Sequence, residues 1–351
     1  MPERSDMARM ETSAMSDDLA DTEVLDSYIR AHVGGLEGHI RLQKIAGGQS
    51  NPTFFASYAN AEFVLRKQPP GELLPSAHAI DREYRVMRAL AGTGVPVPKM
   101  VLYCEDSSVI GTPFYVMERI AGQVHHDCAL DGVPHDQRRP LYLSLAKTLA
   151  RLHNVDYDAV GLSDYGRSGN YFARQVGRWT KQWTLSQTRE DKNVERLIDW
   201  LPEAVPDSEM TTIAHGDYRL GNVIFAADAP VVAGVLDWEL STLGHPLADL
   251  AHCCIAWHSS SVEYGGLRDR DIAALGIPDQ AEFTETYYGN ARHSERMTDF
   301  HMAFALFRFA VIFEGIAARA KAGNANNADA ARTGQLAARF AELGVEALDR
   351  G

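Results

Sequence analysis

The sequence predicts an α+β fold, on two observations. Short alternating apolar runs crowd residues 39–118, and helical periodicity fills most of the chain beyond residue 118. The chain opens with about twenty residues rich in Met, Ser, Asp and Glu, expected to form a disordered tail over 1–20. Val24, Leu25, Tyr28 and Ile29 then recur at helical spacing, so an amphipathic helix is expected over 21–33. Residues 39–46, 53–58 and 61–67 read as strands, divided by Gly47-Gly48-Gln49-Ser50-Asn51-Pro52 and by a turn at Asn60. A helix over 77–91 and strands over 100–104 and 113–118 complete a β-rich region spanning 21–118. From 119 to 351 the pattern is helical, clearest over 138–153, with strand-like patches only at 223–225 and 232–236. Residues 322–331 are expected to be a loop before a last amphipathic helix ending near Leu348.

Composition narrows the function. Of 351 residues 45% are apolar and 23% charged, as in an ordinary soluble globular protein. The net charge of -13 would repel a phosphate backbone, and Lys and Arg form no stripe, so a nucleic-acid partner is not expected. Cys104, Cys128, Cys253 and Cys254 lack metal-ligand spacing and read as buried thiols, which suits a reducing cytoplasm. The most apolar stretch, 302–313, is short for a membrane span and contains Arg308, so it reads as a core helix and no membrane association is expected. Nothing points to an obligatory protein partner, and oligomeric state is not legible.

The chemistry concentrates in His215-Gly216-Asp217-Tyr218-Arg219-Leu220-Gly221-Asn222, followed by Asp237 at the end of a strand-like run. Asp217 can take a proton from a hydroxyl. Asn222 and Asp237 supply oxygens for a hard cation such as Mg²⁺, which in turn binds nucleotide phosphates. Taken singly, an Asp in a Gly-rich turn more commonly caps a helix or closes an Asx-turn. What favours a phosphotransferase is the set together with the β-rich region upstream.

That region offers the other parts a nucleotide needs. The loop containing Gly48, Ser50 and Asn51 lies between two strands, where backbone N–H groups can approach a phosphate. In the strand Phe63-Val64-Leu65-Arg66-Lys67 side chains alternate, so Arg66 shares a face with the small Val64 and is favoured over Lys67 as the phosphate-gripping cation. Glu83, on the helix over 77–91, is the expected anchoring anion for that cation.

These residues carry a resemblance. The 215–222 run with Leu236-Asp237-Trp238-Glu239 resembles the catalytic and metal-binding motifs of the aminoglycoside phosphotransferase and choline kinase-like family. Val64-Leu65-Arg66-Lys67-Gln68-Pro69-Pro70-Gly71 and Leu243-Gly244-His245-Pro246-Leu247-Ala248-Asp249-Leu250 resemble the kinase-like domains fused to some acyl-CoA dehydrogenases, over residues 25–345. The resemblance implies a protein-kinase-like bilobal fold with a small β-rich lobe to 118 and a larger helical lobe from 119. It implies ATP and Mg²⁺ as cofactors and a small-molecule hydroxyl as acceptor. It makes Asp217 the catalytic aspartate, Asn222 and Asp237 the metal ligands, and Glu83 the acid orienting the cation. Residues 117–120, with Glu118 and Ile120, become the linker whose backbone meets adenine. Arg66 departs from the lysine of many kinases, leaving open whether Lys67 substitutes. His215 is expected to orient the loop through hydrogen bonds, Asp249 to brace its backbone, and His252 and His258 to be core or surface histidines. Segments 154–206 and 257–288, with their tryptophans, are expected to shape the acceptor pocket. The fusion habit of the subgroup favours a hydroxylated acyl group or its CoA thioester. An aminoglycoside acceptor, and a catalytically weak nucleotide-binding scaffold, are the alternatives; ATP versus GTP is not legible.

Overall fold

In the computed structural model, residues 22–45, 51–71, 79–323 and 330–349 are described. The expected tail over 1–20, together with Gly48 and Ser50, lies outside them. The chain divides into two compact units: residues up to 84 with 99–119, and 85–98 with 120–351.

The first unit is a five-stranded antiparallel sheet in the order β1-β2-β3-β5-β4 with one helix before it. Helix α1 (Thr22–His32) precedes β1 (Arg41–Lys44), β2 (Thr53–Ser57) and β3 (Glu62–Lys67). Helix α2 (Ile80–Leu90), whose first turn belongs to this unit, leads to β4 (Met100–Cys104) and β5 (Phe114–Glu118). Every expected element is present within a few residues of its bounds. Leu25 and Ile29 of α1 pack with Phe54, Phe63, Leu65, Phe114 and Val116 in one core, the buried face of a period-two pattern.

The second unit is helical, as expected, with two small ladders set into it. Helices α3 (His135–His153), α4 (Tyr171–Ser186) and α5 (Lys192–Glu203) come first. Strand β6 (Thr212–Ala214) precedes β7 (Val223–Phe225), β8 (Val232–Val235) and β9 (Thr242–Gly244); β6 pairs β9 and β7 pairs β8, both antiparallel. The rest is helical: α6 (Pro246–His258), the short α7 (Ser261–Tyr264) and α8 (Ile272–Leu275), α9 (Gln280–Tyr288), α10 (Asp299–Lys321), α11 (Ala330–Gly334) and α12 (Leu336–Leu348). Strands β6 and β9 were not anticipated; three residues each are too few to show alternation. Helix α10 corrects the expectation of a short segment: at 23 residues it is long and apolar enough to cross a membrane, yet 72% of its most apolar window is buried in the protein. It packs against α4, α5, α6, α11 and α12 and forms the core of this unit.

Candidate functional site

Within the second unit, strand β6 ends at Ala214 and delivers His215 and Gly216 into a tight loop. Gly216 sits at φ +85°, and a Cβ there would lie 2.6 Å from the Leu240 carbonyl oxygen, so only glycine fits without displacement. Asp249, in the first turn of α6, accepts the backbone N–H of His215 at 2.6 Å and of Gly216 at 2.9 Å. Arg308 of α10 donates to the Gly216 carbonyl at 2.6 Å. His215 is fully buried, donates from Nε2 to the Leu236 carbonyl at 2.8 Å, and accepts the Asp217 N–H at Nδ1 at 3.2 Å. Burial depresses its pKa, although Asp249 and other neighbours oppose the shift, so the neutral tautomer that these two bonds require is favoured.

The β7–β8 ladder places Asn222 and Asp237. Asn222 stands just before β7 and Asp237 two residues past β8, and with Val223 opposite Val235 both emerge at one end of the ladder. The Leu236 N–H bonds the Asn222 carbonyl at 2.8 Å and ties the two segments together. Asp237 occupies the left-handed region at φ 62°, a conformation Asp tolerates better than most side chains. Asp217 and Asp237 both act electrostatically on His215, so the two carboxylates share one neighbourhood.

Asp217 itself is held by three side chains. Asn222 Nδ2 donates to its Oδ2 at 2.7 Å, Arg219 Nε lies 3.4 Å from Oδ2, and His252 Nε2 lies 2.9 Å from Oδ1. Burial alone would raise the carboxyl pKa, but His252, Arg219 and His215 together outweigh it and hold Asp217 ionised, well below the usual carboxylate range. His252 is a core histidine, one of the two expected alternatives, and in addition its Nε2 faces Asp217. The available signal was the spacing Asp249-x-x-His252, which puts both on one face of a helix. His258 is a core histidine, with Nε2 2.8 Å from Gln280 Oε1.

The donor chemistry fits a divalent cation. Asn222 spends its Nδ2 on the Asp217 carboxylate and on the Asp217 carbonyl at 2.8 Å, which leaves its carboxamide oxygen, with the Asp237 carboxylate, as the kind of hard oxygen donor such an ion takes.

In the first unit, Arg66 Nε lies 3.0 Å from Glu83 Oε2, with side chains 15% and 1% exposed. Glu83 also accepts from Tyr115 Oη at 2.9 Å and from Asn51 Nδ2 at 2.9 Å. Asn51 is fully buried and its side-chain amide supports Glu83. Lys67, the alternative cation, is set apart from this cluster by strand alternation: its Nζ donates to the Ile110 carbonyl at 3.3 Å, on the face shared with Phe63 and Leu65. In residues 117–120, the N–H groups of Glu118 and Arg119 donate to the Lys99 and Glu62 carbonyls at 2.9 and 3.3 Å. Ile120 packs over Gly234, where any Cβ would meet its Cδ1 at 2.4 Å.

A cavity of about 350 Å³ in the second unit is lined by Leu220, Ile255, Tyr264 and Phe309 with Cys128 and Cys253, and by Arg219, His126 and His252. Two of its lining side chains, Arg219 and His252, each reach Asp217. Of the two segments expected to shape an acceptor pocket, 257–288 lends Ser259 and Tyr264 to this cavity, and 154–206 lines a separate one with Val176, Ile198 and Pro202.

An antiparallel five-stranded sheet bearing a buried Arg–Glu pair, and a helical unit bearing Asp217, Asn222 and Asp237 on one loop system, define a kinase-like phosphotransferase. The chain belongs to the phosphotransferase enzyme family, whose model (APH) matches residues 41–285. It is 44% identical to a solved chain from Ralstonia eutropha JMP134 described as a candidate aminoglycoside phosphotransferase, with a TM-score of 0.87 over 94% of this chain and 98% of that one. It is also 44% identical over 325 residues to mouse acyl-CoA dehydrogenase family member 10, covering 92% of this chain. The chain spans only 30% of the length of that relative. At 15% identity and a TM-score of 0.61, covering 92% of this chain and 99% of the other, aminoglycoside phosphotransferase APH(4)-Ia, solved with AMP-PNP and hygromycin B, shares the fold. The reaction class is therefore phosphoryl transfer to a small molecule.

Proposed function

We propose that the protein transfers the γ-phosphoryl of Mg-ATP to a hydroxyl of a neutral or anionic small molecule, a hydroxylated acyl group or its CoA thioester in preference to an aminoglycoside. The observation carrying the acceptor class is the cavity beside Asp217: a guanidinium and two imidazoles line it, and no described lining residue is acidic. A polyamine would find no acidic side chain in that wall and would have to compete with Arg219 and His252 for Asp217, whereas a carbonyl or carboxylate would find a donor and an apolar chain would find Leu220, Ile255 and Phe309. The acyl-CoA dehydrogenase names of the curated relatives support the same class.

Positioning and charge neutralisation carry most of the barrier in phosphoryl transfer. Arg66, oriented by Glu83, supplies the cation for the nucleotide's phosphates. Asn222 and Asp237 hold magnesium, which when bound neutralises charge on the transferring and leaving groups. Asp217 aligns the acceptor hydroxyl and takes its proton late, as a strongly ionised and therefore weak base suits.

The test is ADP release from Mg-ATP with hydroxybutyryl-CoA, free hydroxybutyrate and hygromycin B as acceptors. The hydroxyacyl compounds should stimulate release over water and hygromycin B should not. Stimulation by hygromycin B alone would overturn the acceptor class, and no release with any acceptor would overturn the reaction.

A further inference from the structure

Helix α6 aims two side chains at the catalytic loop. Asp249 and His252 lie one turn apart on one face; the first takes the backbone of 215–216, and the second takes the Asp217 carboxylate at 2.9 Å. The His252 side chain is 4% exposed, the Phe309 ring packs 5.2 Å from it, and its Nδ1 has no hydrogen-bond partner among the described residues. A histidine retained only to fill the core would be expected to have both nitrogens satisfied. Among the described residues, the polar contact His252 makes is to Asp217. Because an ionised carboxylate can only accept, the facing nitrogen carries a proton whether the ring is neutral or charged.

We propose that His252 is a positioning residue for phosphoryl transfer. It fixes Oδ1 of Asp217 while Asn222 fixes Oδ2, leaving the carboxylate one orientation toward an acceptor hydroxyl in the cavity whose wall His252 also forms. His252 takes no proton from the acceptor. The role rests on the phosphotransferase reading and adds to it a residue outside the Asp217, Asn222 and Asp237 set.

Three forms of the full chain test it: wild type, His252→Phe and His252→Gln, whose amide nitrogen can reach the place of imidazole Nε2. Release of ADP is followed with water, hydroxybutyryl-CoA and hygromycin B, and Mg-ATP affinity by calorimetry. His252→Phe should lower kcat about tenfold to a hundredfold, with Mg-ATP affinity within about twofold of wild type, and His252→Gln should recover most of the loss. Equal kcat in all three forms, equal losses in both variants, or a fall in Mg-ATP affinity that accounts for the loss would overturn the role. Histidine ¹⁵N NMR provides a reading independent of turnover: the resonance lost in His252→Gln should show a protonated Nε2, and an Nδ1-protonated tautomer would overturn the proposal even if His252→Phe fails to fold. Absence of turnover in wild type would remove the phosphotransferase reading and this role together, whereas wild-type turnover with indifferent variants removes this role alone.

Discussion

Asp217 shows how a half-buried carboxylate can be held ionised. Its side chain is 25% exposed, and desolvation is outweighed by donors placed on both oxygens, so it is pre-aligned instead of strongly basic. Asp237 has a different task. Asp237→Ala should weaken Mg-ATP binding about tenfold or more while leaving metal-free nucleotide binding unchanged; calorimetry showing equal Mg-ATP affinity would contradict its assignment. The pairing of Arg66 with Glu83 and the grouping of Asn222 with Asp217 were legible because each residue sits in a local pattern: an alternating strand, a helix turn, a Gly-bounded run. Asn51's service to Glu83 was hidden because it joins positions 32 residues apart. The binding of His252 to Asp217 likewise depends on α6 folding back onto the loop; the spacing from Asp249 puts both on one helix face but does not say what that face meets.

Gly216 and α6 set the loop's shape, and both make exposed predictions. Gly216→Ala forces a side chain into the left-handed region against the Leu240 carbonyl, and should cost on the order of 2 kcal/mol, read as a melting-temperature drop of roughly 4–8 °C. The N-cap of α6 is His245, whose Nδ1 accepts the Leu247 N–H at 3.3 Å. Burial pushes His245 down to about 4 from 6.5, against the opposing pull of Glu295. The folded state therefore binds fewer protons than the unfolded one, and stability present above 6.5 is lost as pH falls from 6.5 toward about 4. His301, lowered to about 3 chiefly by burial, adds to the slope with the same sign. Melting temperature measured across that window should fall for wild type and fall less for His245→Asn, which keeps a capping acceptor without the titration; parallel curves would contradict the assignment. Long periodic elements such as α3 and α12 were readable from sequence within three residues of an end, whereas β6 and β9 were not. A three-residue strand is defined by its partner, here Ile213 opposite Leu243, and not by its own pattern.

Across the whole chain, strands come first and helices after, and the two compact units keep that order apart from the segment 85–98. This is why the fold class could be read from the order of patterns alone. The cavity beside Asp217 could not, because its lining gathers residues 126–128, 219–221, 252–264 and 309 from four parts of the chain. The net charge of -13 gives no hint of that lining, which holds Arg219, His126 and His252 and, among the described residues, no acid. The decisive measurement is ³¹P NMR of Mg-ATP turnover with hydroxybutyryl-CoA, wild type beside Asp217→Asn. ADP and a phosphomonoester should accumulate one for one in wild type, and at least about a hundredfold more slowly in Asp217→Asn, a barrier increase of about 2.7 kcal/mol. Near-normal turnover in Asp217→Asn, or ADP accompanied only by inorganic phosphate, would contradict the account.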